Sequence, residues 1–100
     1  MSKQTIFTGA GVAIVTPMNP DGSVNYERYR ELVEWQIQNG TDAIISCGTT
    51  GESSTLDHEE HIEVMRAAVE QAAGRVPVIS GTGSNDTRYC IELSLEAQRL

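Results

Sequence analysis

The sequence has little positive charge and no cluster of it. Seven lysines and arginines stand against fourteen acidic residues, which gives a formal net charge of −7, and the only lysine is Lys3. Scattered basic residues cannot follow a phosphate backbone, and Lys3 does not lie in a Walker sequence. The composition therefore argues against nucleic-acid binding and against a P-loop nucleotide site.

Cysteines and long hydrophobic runs are also scarce. Cys47 and Cys90 are far apart and show neither a CxxC nor a metal-ligand spacing, so free thiols and a reducing compartment are favoured over a disulfide. The apolar run near the N-terminus is short and is interrupted by Gly9 and Gly11, which fits neither a signal peptide nor a membrane span. We expect a cytoplasmic protein that does not bind membranes.

Three short apolar runs recur about thirty residues apart, at 12–15, 43–47 and 76–80. They are rich in Val and Ile and continuous rather than alternating, which is typical of strands in a parallel sheet. The segments between and after these runs have helical periodicity. The order strand–helix, repeated, therefore predicts an α/β fold with right-handed crossovers.

The predicted helices have recognisable ends. Asn25 is suited to cap the first helix, Asp57 with Glu60 forms a capping box before the second, and Asp86 or Asn85 caps the third. Gly40 and Gly74 are placed to end the first two helices in the left-handed conformation. The apolar stripes expected to face the core are Tyr29, Leu32, Val33 and Ile37, then Ile62, Met65, Val69 and Ala72, then Cys90, Ile91 and Leu95.

A three-stranded parallel sheet with helices on one side leaves its edges and one face open. Eight units of about thirty residues give roughly the 250 residues of a closed TIM barrel. The chain is thus expected to form the first three βα units of a (β/α)8 barrel and to be too short to close it. Residues 1–100 would be the N-terminal portion of one barrel domain that ends inside the third helix.

The carboxyl ends of parallel strands are where such folds place their chemistry. After the second apolar run the sequence reads Gly48-Thr49-Thr50-Gly51-Glu52. The two glycines would allow the backbone amides at Thr49, Thr50 and Gly51 to converge on a small anion, with the threonine hydroxyls as further donors. The alternative is a tight turn in which both hydroxyls cap backbone groups; the spacing alone leaves both open.

Two other motif interpretations are weaker. The segment GTGSND has two glycines of a dinucleotide fingerprint but not the third, and no well-placed acid follows. His58 and His61 share one face of the second helix, and Glu52 or Glu59 could complete a metal site. Histidines three residues apart near a helix start are more often solvated or interface residues, so we expect no metal.

Three segments together resemble a known family. GVAIVTPM, GTDAIISCGTTGESSTLDHEEH and GRVPVISGTGSNDT follow one another as in the dihydrodipicolinate synthase family. The related N-acetylneuraminate lyases and 2-keto-3-deoxy sugar acid aldolases typically have Gly-Ser-Thr-Gly-Glu at the second strand and usually lack the Gly-Thr-Gly-(Ser/Ala)-Asn turn after the third. The resemblance therefore favours the synthase over an aldolase such as N-acetylneuraminate lyase.

The resemblance implies condensation of pyruvate with L-aspartate 4-semialdehyde in the diaminopimelate and lysine pathway. Pyruvate is held as a Schiff base on a lysine, which makes its methyl carbon nucleophilic, and no cofactor is needed. By the same resemblance, Thr49 joins two tyrosines in a proton relay and Thr50 binds the pyruvate carboxylate. A homotetramer built from tight dimers is also implied.

The family's lysine effector site lies at a dimer interface. The corresponding residues here are Ser53, Ser54, Leu56, His58, His61 and Asn85. An acidic residue that helps to hold the effector's amino group in lysine-inhibited members is replaced by Tyr89. We therefore expect lysine inhibition to be weak or absent.

By the resemblance, the Schiff-base lysine and both relay tyrosines lie beyond Leu100. Lys3 precedes the first strand and cannot replace a lysine that projects into a barrel. The 100 residues alone are therefore expected to have no condensation activity. A second hypothesis is a non-catalytic barrel fragment that associates with a partner covering its open sheet.

Overall fold

The computed structural model describes residues 3–100, which form three consecutive strand–helix units. The strands are β1 (Gly11–Ala13), β2 (Ala43–Ser46) and β3 (Val78–Ser80). The helices are α1 (Tyr26–Gln38), α2 (His58–Ala72) and α3 (Thr87–Gln98), and a short 3₁₀ turn (Ser53–Thr55) precedes α2. The predicted order of elements is confirmed.

The three strands form one parallel sheet in the order β1-β2-β3. Val12 pairs with Ile44, and Ile45 pairs with Ile79. Each strand is shorter than its apolar run. β2 stops at Ser46 because Cys47 takes a left-handed backbone conformation, with φ of 57°. The sheet therefore presents all three carboxyl ends along one edge.

The predicted helix starts are confirmed. The Asn25 side chain accepts a hydrogen bond from the Arg28 backbone N–H at 2.9 Å. Asp57 and Glu60 form the complete capping box at α2. At α3 the cap is Asp86, the first of the two predicted candidates.

The helix ends differ slightly from the prediction. Gly40 follows α1 with φ of +93°, as expected of a residue that ends a helix. At α2 the left-handed cap is Ala73, with φ of 49°, and Gly74 follows it with φ of +76°. A non-glycine residue thus takes the strained position one residue earlier than predicted.

The core lies between one face of the sheet and the helices. Tyr29 and Val33 of α1, and Val64 and Met65 of α2, are fully buried with Ile44 of β2. Contacts between α1 and α2 and between α2 and α3 close this layer. The opposite face of the sheet is open within the described residues, since Val15 and Ile79 are about half exposed. This arrangement matches the one-sided sheet expected from the sequence.

The predicted inner face of α3 is wrong. Leu93 is fully buried, whereas Ile91 and Leu95 are 56% and 48% exposed. Tyr89, Leu93 and Ala97, spaced four residues apart, pack against the core instead. The prediction chose the larger branched residues, Ile91 and Leu95, and therefore assigned the wrong side of the helix to the core.

The predicted stripe of α2 is partly displaced for a similar reason. Met65 and Ala72 are buried as expected, but Ile62 and Val69 are only half-buried. Ala67 and Ala68 are fully buried in their place. Small side chains let the helix lie close to its neighbours, so alanines occupy part of the buried face.

A buried polar pair joins α1 to the sheet. The Tyr29 hydroxyl donates to Ser46 Oγ at 3.1 Å, and both residues have no exposed surface. Burial raises the pKa of Tyr29 to about 12, although the hydrogen bond with Ser46 lowers it. The phenol therefore stays neutral and serves as a structural donor beneath β2.

Among residues 3–100, no helix is both long enough and apolar enough to cross a membrane.

Candidate active site and adjacent cavity

The polar segments after the three strands meet at one edge of the sheet. Thr16 follows β1, residues 47–52 follow β2, and residues 81–85 follow β3. Two contacts join them directly: Thr16 Oγ1 donates to the Gly51 carbonyl at 2.7 Å, and the Gly81 N–H donates to the Ser46 carbonyl at 2.7 Å. The predicted gathering of strand ends is thus present in the structure.

The segment with the two threonines is a closed turn. The N–H groups of Gly51 and Ser53 both donate to the Gly48 carbonyl, at 3.1 and 3.3 Å, and Glu52 N–H donates to the Thr49 carbonyl at 2.9 Å. The Gly51 amide is therefore engaged in the turn. The Gly51 amide was predicted to bind an anion together with the amides of Thr49 and Thr50, and for Gly51 this prediction is wrong.

The left-handed positions of this turn are not the glycines. Cys47 and Glu52 have φ of 57° and 58°, while Gly48 and Gly51 have no positive φ. Gly51 matters for a different reason, because a Cβ there would make tight contacts of 3.1 Å with the Ile14 carbonyl oxygen and with Thr16 Oγ1. The turn thus packs its backbone directly on the end of β1.

The side chains of Thr49 and Thr50 are exposed at this edge. Within residues 3–100, neither hydroxyl takes part in a hydrogen bond, whereas Thr16 and Thr55 both donate to backbone carbonyls of the turn. The alternative in which Thr49 and Thr50 cap backbone groups is therefore wrong. Both hydroxyls are available to a ligand.

The β3 end packs tightly on the β2 end. A Cβ on Gly81 would lie 2.3 Å from the Cys47 carbonyl oxygen, so only glycine fits. His61 is 3% exposed, and its Nε2 lies 2.7 Å from the Gly81 carbonyl oxygen; the carbonyl can only accept, so Nε2–H is the donor. Cys47 Sγ in turn contacts the His61 carbonyl at 3.7 Å.

Both cysteines are free thiols, and Cys47 is the buried one. Burial raises the pKa of the Cys47 thiol, while the Ser46 hydroxyl lowers it. A buried, protonated thiol behaves as a small apolar residue. Cys47 is thus a packing residue behind the threonine turn.

A cavity of about 440 Å³ lies beside the threonine turn, between the 3₁₀ turn, the segment after β3 and the start of α3. Its lining is Ser53, Ser54, Leu56, His61, Gly83, Ser84, Asn85, Tyr89 and Leu93. The structure therefore brings together most of the residues predicted for an effector site. His58 is not in the lining, but its Nδ1 lies 3.1 Å from the Tyr89 hydroxyl at the cavity rim.

The cavity lining carries hydroxyl, amide and phenol groups but no carboxylate. Burial raises the pKa of Tyr89, and the nearby Glu92 and Asp57 raise it further, so the phenol is neutral at physiological pH. The rings of His58 and Tyr89 lie 5.5 Å apart in a tilted arrangement. Such a lining offers hydrogen bonds to a polar ligand but no negative charge to a cationic one.

The histidines do not form the alternative metal site. His61 is bonded to the Gly81 carbonyl and His58 contacts Tyr89. In the part of the chain that the structure describes, no group of three or more His, Cys, Asp or Glu residues could hold a metal ion.

Three features of this region were not predicted from the sequence. Thr16 and Gly81 each form a hydrogen bond to the segment that ends the neighbouring strand, and Leu93 lines the cavity. The signal for Thr16 was its place at the end of an apolar run, since all three strand ends carry hydroxyls. For Gly81 the sequence gives no comparable signal. A close contact between two backbones requires only a glycine, and a glycine alone does not identify such a contact.

Comparisons of the sequence place it among known proteins. Residues 6–100 match the model of the Dihydrodipicolinate synthetase family. The 4-hydroxy-tetrahydrodipicolinate synthase of Lachnoclostridium phytofermentans is 67% identical over 93 residues, which are 93% of this chain and 32% of that protein. The enzyme of the same name from Geobacter metallireducens is 59% identical over 95 residues, or 95% of this chain and 32% of that protein.

Solved structures of two kinds of enzyme share the fold of this chain. The dihydrodipicolinate synthase of Acinetobacter baumannii, crystallised with pyruvate, superposes with a TM-score of 0.91 at 49% identity, over 95% of this chain and 32% of that one. The N-acetylneuraminate lyase of Mycoplasma synoviae superposes with a TM-score of 0.88 at 34% identity, over 93% and 32%. The chain spans about a third of the length of these relatives.

Proposed function

This chain belongs to the dihydrodipicolinate synthetase family, and from that premise we propose that it is part of a 4-hydroxy-tetrahydrodipicolinate synthase. Its three βα units correspond to the N-terminal part of that family's (β/α)8 barrel. The reaction proposed for the whole enzyme is the condensation of pyruvate with L-aspartate 4-semialdehyde, in the pathway to diaminopimelate and lysine. Identity of 59–67% to synthases supports this assignment.

The observation that carries the proposal is the pair of free hydroxyls at the strand ends. Thr49 and Thr50 are exposed at the edge of the sheet where parallel α/β folds bind substrates, and the turn beneath them is closed by its own backbone bonds. Thr50 would donate to the pyruvate carboxylate. Thr49 would pass protons between two tyrosines supplied by the rest of the barrel, because a threonine hydroxyl is a poor acid or base without partners.

Trapping of the enzyme-bound pyruvate tests the proposal. The full-length gene product, incubated with pyruvate and borohydride, should gain the mass of one reduced pyruvate on a lysine, because reduction fixes the Schiff base. The 100-residue chain of 10.9 kDa is the matched control and should gain nothing. An adduct on that chain would contradict the assignment of the Schiff-base lysine to residues beyond Leu100. Absence of an adduct on the full-length product would contradict the proposed reaction.

An aldolase of the N-acetylneuraminate lyase type is the second candidate, since one such enzyme superposes almost as well as the synthases. The fold therefore does not separate the two activities. Product formation from pyruvate with L-aspartate 4-semialdehyde, compared with cleavage of N-acetylneuraminate, does so directly. A non-catalytic fragment bound to a partner is the remaining alternative, and it predicts neither reaction.

The cavity beside the turn is the proposed counterpart of the family's lysine effector site. Its lining holds Ser53, Ser54, Leu56, His61 and Asn85, with His58 at the rim. A homotetramer built from tight dimers, located in the cytoplasm, is proposed on the same resemblance.

Lysine should inhibit the full-length enzyme weakly or not at all, because Tyr89 brings a neutral phenol where an acidic residue would bind the effector's amino group. Tyr89→Glu should strengthen inhibition by about tenfold or more, the scale of a charge-assisted hydrogen bond. Tyr89→Phe is the matched control, since it alters the same position without adding charge. Initial rates across a lysine titration measure both effects, and micromolar inhibition of the unaltered enzyme would contradict the expectation.

A further inference from the structure

We infer that Thr16, three residues after β1, is a positioning residue that holds the turn carrying Thr49 and Thr50 in its working orientation. The inference rests on the proposed function, in which these two hydroxyls contact the substrate. Thr16 itself is 2% exposed and has no access to a ligand. Its effect on the reaction must therefore pass through the turn.

The contact between Thr16 and the turn is short and buried. Thr16 Oγ1 donates to the Gly51 carbonyl at 2.7 Å across 35 positions of sequence. The Ile14 N–H donates to the Ile45 carbonyl at 3.1 Å, which keeps the end of β1 beside β2 up to this point. The Thr16 hydroxyl lies only two residues beyond this last bond between the two segments, which keeps it close to the edge of the sheet.

The turn's own hydrogen bonds do not fix its orientation on the sheet. The bonds from Gly51, Glu52 and Ser53 to carbonyls of Gly48 and Thr49 all lie within the segment, so they define its shape only. In the described part of the chain, the Thr16 hydroxyl provides the one hydrogen bond that joins residues 48–52 to the β1 side.

Close packing around Gly51 lets this hydrogen bond control the position of the turn. Because Gly51 has no side chain, its backbone lies against the Ile14 carbonyl and Thr16 Oγ1, where a Cβ would be 3.1 Å from both oxygens. Loss of the bond would let Gly51 move away and carry the rest of the turn, with Thr49 and Thr50, along with it, because Gly51 N–H is bonded to the Gly48 carbonyl. A displacement of about 1 Å at a reacting group can cost about a hundredfold in rate.

Thr16→Val tests the inference in the full-length gene product, since it keeps the shape of the side chain and removes the donor. We expect kcat to fall by about tenfold to a hundredfold and the KM for pyruvate to rise. Thr16→Ser, which keeps the hydroxyl, should stay close to the unaltered enzyme. If Thr16→Val does not fold, Thr16→Ala replaces it, because the smaller side chain leaves room for a water molecule that bonds the Gly51 carbonyl.

Tyr29→Phe is the matched control for loss of a buried hydrogen bond. It removes the bond to Ser46 on the helix-covered face of the sheet, so it should lower the melting temperature about as much as Thr16→Val while leaving kcat and KM unchanged. Equal kinetic losses in the two variants would overturn the inference, because the loss would then follow stability.

A double mutant separates this inference from the proposed function. If Thr16 acts through Thr49, adding Thr16→Val to Thr49→Val should lower kcat little further. A full additional loss would overturn the inference. An unimpaired Thr49→Val enzyme would overturn the proposed role of Thr49 itself, whereas an impaired Thr49→Val beside a normal Thr16→Val would overturn the inference alone.

Discussion

Thr49→Val should lower the turnover of the full-length enzyme by about one to three orders of magnitude, the range expected on losing a proton-transfer group. Valine has nearly the shape of threonine but cannot donate or accept a proton. The Thr49 hydroxyl is exposed and forms no hydrogen bond within residues 3–100, so the fold should lose nothing. Steady-state kinetics and a melting curve should therefore show a large loss of kcat with an unchanged melting temperature.

Two further variants sharpen this test. Thr41→Val changes a threonine before β2, at the opposite end of the same strand, and should leave kcat unchanged. Thr50→Val should mainly raise the KM for pyruvate, because its proposed partner is the substrate carboxylate. Turnover of Thr49→Val equal to that of the unaltered enzyme would remove Thr49 from the mechanism.

The order of elements and the helix starts follow from local chemistry. A capping box such as Asp57 with Glu60 satisfies backbone donors within four residues, so it can be recognised without knowledge of the fold. Continuous Val- and Ile-rich runs spaced about thirty residues apart identify the parallel sheet in the same way. These features were predicted correctly because each depends on residues that are neighbours in sequence.

The phase of α3 depends on residues distant in sequence. Leu93 is buried and Ile91 is exposed because the helix is rotated to pack Tyr89 and Ala97 against the core. Hydrophobicity alone favours burial of Ile91 and Leu95 as much as burial of Leu93. The buried face of α3 is set by contacts with α2, whose residues are distant in sequence and cannot be read from α3 alone.

In the candidate site, too, the features that depend on local sequence were predicted and those that depend on distant residues were not. Thr49 and Thr50 were found because they follow an apolar run at a predicted strand end, and only the family resemblance favoured a substrate role over a tight turn. The contact from Thr16 to Gly51 spans 35 positions, so the local sequence shows a hydroxyl after an apolar run but not the residue that it binds. The left-handed conformation of Cys47 was also missed, because glycines are the expected residues there and the fold imposes it on a cysteine instead.

Gly81→Ala should destabilise the full-length enzyme by about 3 kcal/mol, the upper end for overpacking, and should lower its melting temperature by about 10 °C. The added Cβ would lie 2.3 Å from the Cys47 carbonyl oxygen and 3.1 Å from that of Ser46, and both are backbone atoms. Neither carbonyl group can move away freely. Gly81 N–H donates to the Ser46 carbonyl, and its own carbonyl accepts from the buried His61 ring.

Gly83→Ala is the matched control in the same segment, because a Cβ there meets no atom of residues 3–100 within 4 Å. Its melting temperature should stay within a few degrees of the unaltered enzyme, so the two glycines separate steric contact from loss of glycine itself. Gly81→Ala should also reduce turnover, because relief of the clash moves the Cys47 carbonyl, two residues before Thr49. Equal melting temperatures for the two variants would mean that the β2 and β3 ends can separate at no cost, which would contradict the close packing that holds the threonine turn from the β3 side.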